Sequence, residues 1–421
     1  MKNIKIKNDI PKEKSKEKKI KRKKNQKTLI KKEKKESTQL NISPIESDKS
    51  KPVVKQRIPN IDAIRTLSMF LILLDHMITF TNIQQRNYRH HKTFYTIRTF
   101  NAMHNSLFAI TSGLVGYKSN VKYSNLAYLW LMVIFYTFGC YYYYKIFKPN
   151  YFIRTQKFSV MFPVVYNHYW YFTQYFALFI FLPVVNKGVN LLSKFELKIV
   201  LLTILFLILW KDIMNPKNDV FHYVGGGSSI SFIAFYLNGV YISKFRKIYS
   251  GVKKYIFCIC CLLIHICSIL VNVKIKYLNI FTLKGYYQMK FAKILQQIFM
   301  LRNNALPMLI QSNTIIYFLL QIKFNNILGK IVLFIGPLTF GVYLIHCNIT
   351  VREFEYKNII PNNSYNVTTG RLLQILLYIT MKIYLICIII DFIRNKIFTL
   401  LKIRNHLYAV ETKFFSYFNK V

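Results

Sequence analysis

Most of this chain is built from runs of predominantly apolar residues, several close to 20 residues long. A run of that length crosses the roughly 30 Å hydrocarbon core of a bilayer as an α-helix. In lipid every backbone polar group must be satisfied internally, which leaves helices and closed barrels. The runs are unbroken rather than alternating, so they are helices. Ten candidate spans are legible, at about 60–82, 99–117, 124–144, 169–185, 196–210, 229–243, 254–272, 305–322, 331–350 and 372–400. The expected fold class is all-α, a polytopic transmembrane helical bundle of about ten spans. The last run is long enough to tilt or to continue as an interfacial helix. Hydrophobic residues make up 53% of the 421, more than a soluble domain of this length usually carries.

Residues 1–57 are different. They hold 21 Lys/Arg against 7 Asp/Glu and no aromatic residue. Such a segment cannot bury enough surface to offset the cost of ordering it, so a disordered basic tail is expected. It has no apolar core of the signal-peptide kind. The division is then a Lys-rich cytoplasmic tail at 1–57, a multispan membrane domain at 58–400 and a short basic C-terminal tail at 401–421. The formal net charge of +44 favours an anionic partner. With the charge in tails and loops, that partner is lipid carrying anionic headgroups rather than nucleic acid.

The positive-inside rule places the N-terminus in the cytoplasm, and ten spans return the C-terminus to the same side. The cations Arg394, Lys396, Lys402 and Arg404 agree, as does the short loop 244–254. The loops 83–98 and 273–304 are basic yet fall outside. Two N-x-S/T sequons, beginning at Asn362 and Asn366, fall in a lumenal loop.

The seven cysteines (Cys140, Cys258, Cys260, Cys261, Cys267, Cys347 and Cys387) lie in or beside apolar runs, so no structural disulfide is expected. The Cys258–Cys261 cluster reads as small apolar helix residues. No group of residues has the spacing of a metal site: His90-His91 stands in a loop without carboxylate or thiolate partners. Gly225-Gly226-Gly227 reads as a turn, not a nucleotide loop.

The first span holds residues that a bilayer penalises. It reads Asp62-Ala63-Ile64-Arg65 and, after an apolar stretch, Asp75-His76. A central Asp or Arg costs roughly 2.5–3.5 kcal/mol on insertion scales. Arg65 and His76 are eleven residues apart, three turns plus about 20°, so they share one face with a rise of about 16 Å between them. Asp62 lies on the same stripe. Asp75 is turned about 100° from His76. The bland reading of Asp62 and Arg65 is an i,i+3 ion pair at the interface. The second span adds Arg98, His104 and Ser112-Gly113, the last pair suited to close helix approach.

These residues resemble the membrane acyltransferase 3 family, which includes polysaccharide O-acetyltransferases. The family opens with an Arg-x-x-x-Asp-x-x-Arg run and an apolar stretch ending in His. Arg57 and Asp62 depart from that spacing by one residue. His104 to Gly113 is similar to the family's second helix, Tyr169-Trp170-Tyr171-Phe172 with Leu182-Pro183 to a later one, and Gly341 to His346 to its "YLIH" motif. Lys118 and Lys122 stand where the family carries basic residues, there Arg. The resemblance covers about residues 57–400. It implies transfer of an acyl group, usually acetyl, from acyl-CoA as co-substrate to a sugar hydroxyl of a glycan or lipid-linked precursor, with no bound cofactor.

A sugar hydroxyl needs a base, and His is the usual one. The expected catalytic residues are His76, with Asp75 as orienting partner, and His104, which polarises the thioester or hydrogen-bonds the acceptor. Arg binds phosphates bidentately, so Arg65 and Arg98, with Asp62, are the expected donor-binding residues. His346, Trp170 and Tyr171 read as interface residues. Direct transfer and an acyl-enzyme both remain open. Two other functions compete: a solute transporter using the same buried Arg, His and Asp, and a membrane-tethered scaffold acting through its tail.

Overall fold

The computed structural model describes residues 57–81, 91–118, 120–149, 160–214, 226–277, 286–299, 301–303, 305–360 and 367–418, with no strand among them. The chain divides into Met1–Gln56 and Arg57–Val421. The basic tail up to Gln56, both sequons (save Val367 and Thr368), His90 and Gly225 lie outside the described residues.

The helices are α1 (Pro59–Phe80), α2 (His91–Asn101), α3 (His104–Gly116), α4 (Tyr123–Phe147), α5 (Trp170–Leu191), α6 (Lys194–Met214), α7 (Ser229–Phe245), α8 (Gly251–Lys276), α9 (Tyr286–Ile298), α10 (Leu306–Gln321), α11 (Asn326–Ile335), α12 (Thr339–His346), α13 (Ile349–Asn358), α14 (Thr369–Leu400) and α15 (Ile403–Phe418). Six are long and apolar enough to cross a membrane: α1, α4, α5, α8, α14 and the continuous segment Asn326–His346. The other expected spans are also helical but shorter, interrupted or charged at their ends. Helices α7 and α10 have 17 and 16 residues, and Lys194, Glu196, Lys198 and Lys211 crowd the ends of α6.

Local signals set several boundaries. Pro59 opens α1, where its missing N–H costs nothing. The side chains of Ser228, Asn325, Asn348 and Thr368 cap α7, α11, α13 and α14. Ser193 and Glu196 form a reciprocal capping box before α6.

Two expected spans are broken. The second stops at Asn101 and restarts at His104. The ninth carries a 3-10 turn, Gly336–Leu338, between α11 and α12, where Pro337 cannot continue the helical hydrogen bonding. Residues after 400, expected as a tail, form α15, whose Glu411 accepts from the Tyr123 amide and the Ser124 hydroxyl. Arg394, expected among the cytoplasmic cations, is buried within α14.

Helix α1 lies at the centre. Over its most apolar window 56% is buried, against 44% or less for the other spans. It packs on α2, α3, α10, α11, α12, α13 and α14. Glycines permit the closest approaches. Gly113 of α3 lies against the Tyr236 carbonyl of α7, and Gly239 of α7 against the Ile110 carbonyl of α3, with no room for a Cβ at either. Gly113 thus does what its sequence suggested.

The two ends of the bundle can be told apart. Asn60 of α1 donates to the Leu319 and Ile322 carbonyls at the end of α10, at 2.7 and 2.8 Å. Gln321 of α10 binds the Lys247 carbonyl and the Tyr249 amide. The start of α1 and the basic loop 244–254 therefore share one end. At the other end His91 meets the Tyr277 hydroxyl at 2.8 Å, joining the two basic segments that were expected outside.

Candidate active site

Four of the six residues singled out from the sequence lie on α1, and its two ends carry two different clusters. At the first, the buried carboxylate of Asp62 accepts from Arg57 Nε and Nη2, at 2.8 and 2.6 Å, and from Arg65 Nη1 at 3.1 Å. Gly336 packs directly on Asp62 and leaves no space for a Cβ. The i,i+3 pair is present, but Arg57 is the tighter partner. Two guanidiniums share one carboxylate, so the cluster keeps a surplus positive charge.

Beside this end lies a cavity of about 460 Å³ lined by Arg246, Lys247, Tyr249, Phe257 and Tyr317 among others. Burial lowers the pKa of Arg246, and the Tyr117 and Tyr317 phenols partly oppose that shift. Sequence reading did not single this cavity out, because its cations and rings come from three separate segments.

The second cluster sits toward the other end of α1. His346 donates Nδ1–H to the Val342 carbonyl at 2.6 Å. A carbonyl only accepts, so the neutral ring carries its lone pair at Nε2. That nitrogen lies 3.2 Å from His76 Nδ1. His76 must then be the donor at Nδ1, which leaves its own lone pair at Nε2. The Cys347 thiol completes the group, 3.4 Å from His76 Nδ1 and 3.3 Å from His346 Nε2.

His346 was expected at the membrane interface. It is buried, and it is the ring that meets His76. Asp75 was expected to orient His76, but its carboxylate accepts from Arg98 Nε at 3.3 Å. Arg98 consequently stands beside the histidines rather than at the Arg65 end, where donor phosphates were expected. His104 donates Nδ1–H to the Asn101 carbonyl at 2.7 Å, and Asn101 reaches back to the Leu71 carbonyl of α1. The break between α2 and α3 thereby aims His104 at this region, within electrostatic reach of His76 and Asp75. Neutral His104 offers an acceptor nitrogen; only protonated His104 polarises a carbonyl.

Further residues were not assigned to the site from the sequence. Arg352 of α13 lies over the Phe80 ring at 5.3 Å and, with His76, flanks it. Tyr169 donates to the Leu344 carbonyl and accepts from Asn348, which holds the end of α12. His168, in the turn before α5, has its pKa pushed down to about 4 by burial, with Arg352 adding to the effect. Tyr171, expected in the interfacial belt, is buried against Phe232, ring centroids 4.8 Å apart, and Tyr343. Thr66 Oγ1, Asn101 Oδ1 and Tyr171 Oη are buried without a hydrogen-bond partner among the described residues.

The central helix of the bundle thus carries an arginine–aspartate cluster at one end and a histidine cluster at the other. A family model described as an acyltransferase domain, Acyl_transf_3, matches residues 58–399. The chain belongs to that family and is an integral membrane acyltransferase. No curated protein and no solved structure matches it.

Proposed function

We propose that this acyltransferase moves an acyl group, acetyl in the simplest case, from acyl-CoA to a hydroxyl of a glycan or lipid-linked sugar. The observation that carries the mechanism is the ring pair. His346 accepts from His76 Nδ1 and so presents His76 Nε2 as the base. His76 takes the hydroxyl proton as the oxygen attacks the thioester carbon. The C–S bond breaks, and His76 returns that proton to the leaving thiolate, so coenzyme A departs as its thiol. His346 is a positioning residue, and Asp75 with Arg98 fixes the adjoining turn of α1.

The end bearing Arg57, Arg65 and the loop 244–254 faces the cytoplasm in this reading, where the donor is made. Acyl-CoA carries an aromatic base and several phosphate charges. The surplus charge around Asp62 and the basic, aromatic cavity at Arg246, Lys247 and Tyr317 suit those groups. Anionic lipid headgroups meet the basic tail. About 16 Å of helix separates Arg65 from His76, a span that an extended pantetheine arm can bridge.

The test is to incubate membranes with radiolabelled acetyl-CoA and follow label into glycan and lipid fractions. The wild type should label a fraction, and His76→Ala, inserted at equal level, should lose that label by two orders of magnitude or more, on the order of what a positioned base contributes. Equal labelling by the two proteins refutes the role of His76. A chain that labels nothing but moves a solute refutes acyl transfer in favour of the transporter.

A further inference from the structure

The histidine cluster has a second chemistry. We infer that His76 Nδ1, His346 Nε2 and Cys347 Sγ form a three-ligand Zn²⁺ site, and that zinc bound there switches acyl transfer off. The three donor atoms lie within 4.8 Å of one another, with pairwise separations of 3.2, 3.4 and 3.3 Å. Tetrahedral zinc with Zn–N of about 2.0–2.1 Å and Zn–S of about 2.3 Å sets its ligands roughly 3.3 Å apart for N···N and about 3.6 Å for N···S. Shifts of a few tenths of an ångström therefore admit the ion. Two imidazoles and a thiolate suit zinc better than magnesium or calcium, which take oxygen donors. The Nδ1–H bond from His346 to the Val342 carbonyl is the outer support that fixes a ligating imidazole with its other nitrogen free. Three protein ligands leave a fourth position open.

The inhibitory effect follows from a single proton. In the metal-free cluster His76 carries its proton at Nδ1 and its lone pair at Nε2. To ligate through Nδ1 the ring must move that proton to Nε2, which caps the nitrogen assigned as the base. The Cys347 thiol releases its own proton to solvent. A filled site and a competent base are mutually exclusive. The inhibition rests on the acyl-transfer reading; the site itself rests on the donor geometry.

The experiment uses the full chain purified in detergent and titrated with Co²⁺ as a spectroscopic substitute for zinc, then with Zn²⁺ while acetyl transfer is followed. The wild type should bind one ion per chain with a thiolate-to-cobalt charge-transfer band that zinc displaces. Cys347→Ser should lose the band and weaken binding by more than the roughly 10–100-fold that outer partners command. The triple variant Cys258→Ser, Cys260→Ser, Cys261→Ser should keep it. Zinc should inhibit the wild type and lose potency against Cys347→Ser. Absence of the band, a band that follows the α8 cysteines, or a filled site with undiminished transfer overturns the proposal. If metal-free protein transfers nothing, the acyl-transfer reading fails, and the cobalt spectrum alone decides the site.

Discussion

The chain uses the same four-residue pattern twice, with opposite results. Asp62-Ala63-Ile64-Arg65 opens α1, and Asp391-Phe392-Ile393-Arg394 lies in α14. Each aspartate is buried, each meets its arginine at i,i+3, and each packs on a glycine of the segment running from α11 into α12: Gly336 on Asp62 and Gly341 on Asp391. The second cluster is closed. Arg394 is 2% exposed, binds both carboxylate oxygens of Asp391, and reaches the Tyr128 hydroxyl; Tyr136 supplies a further donor to Asp391. The first is open. Arg65 and Arg57 are 28% and 44% exposed and outnumber the carboxylate they share. A satisfied, neutral pair is a lock between helices. An unbalanced pair at a mouth has positive charge left for a ligand.

The largest effect expected from this contrast is on folding. Asp391→Ala strands a buried guanidinium, which should cost roughly 3–5 kcal/mol. Asp62→Ala leaves two arginines that reach water, and should cost about 1 kcal/mol. Thermal unfolding in detergent measures both. Equal losses would mean that the first cluster is as structural as the second.

Next comes the glycine seat. A Cβ on Gly341 would stand 2.0 Å from Asp391 Cγ, and that carboxylate is held on all sides. Gly341→Ala should therefore cost about 1–3 kcal/mol through overpacking. Gly336→Ala meets Asp62 at 2.6 Å, but its arginines can follow the carboxylate outward. It should unfold less readily and instead change the KM for acyl-CoA. A Gly336→Ala variant with wild-type KM and lowered stability would contradict the distinction.

The fold was largely legible because burial in lipid writes itself as run length. Each of the ten expected spans falls on helix, eight on one helix each and two across a break. What the runs concealed were the breaks: nothing apolar distinguishes Ala102-Met103 from its flanks, and Pro337 sits inside an otherwise continuous stretch. The site was legible only along one helix. Spacing on α1 put Arg65 and His76 on one face, but the partner of His76 lies 270 residues away, and no local period reports that. The expectation of no metal site was argued from neighbours in sequence and did not extend to donors assembled across α1 and α12. The burial of Arg394 was hidden for the same reason. Its neighbours Lys396 and Lys402 look cytoplasmic, while the tyrosines that bury it come from α4.

The third expectation concerns function at unchanged stability. Arg65→Lys keeps the charge and loses the planar fork, so a phosphate held bidentately should be felt as a rise of about tenfold in the KM for acyl-CoA, with unfolding shifted by less than about 0.5 kcal/mol. Arg394→Lys should do the reverse, lowering stability and leaving KM alone. If both lysine variants behave alike, the two clusters have one role.

The smallest effect separates contact from field. Two guanidiniums and one carboxylate give the Asp62 cluster a net charge of +1. Arg57→Ala and Arg65→Ala each reduce it to zero, so their long-range attraction for an anionic donor falls equally, and salt screens that attraction within about 10 Å at 0.1 M. Their local consequences differ. Arg57 makes the two shorter bonds to Asp62 and is the more exposed. Without it Asp62 turns fully to Arg65. Arg57→Ala should then raise KM by a few-fold at low salt and by almost nothing at high salt, as expected for a screened surface charge. Arg65→Ala should raise KM by at least the roughly tenfold expected of Arg65→Lys, and keep most of that defect at both. If the two alanine variants share one salt dependence, the open cluster steers the donor by charge alone, and Arg65 has no direct contact with it.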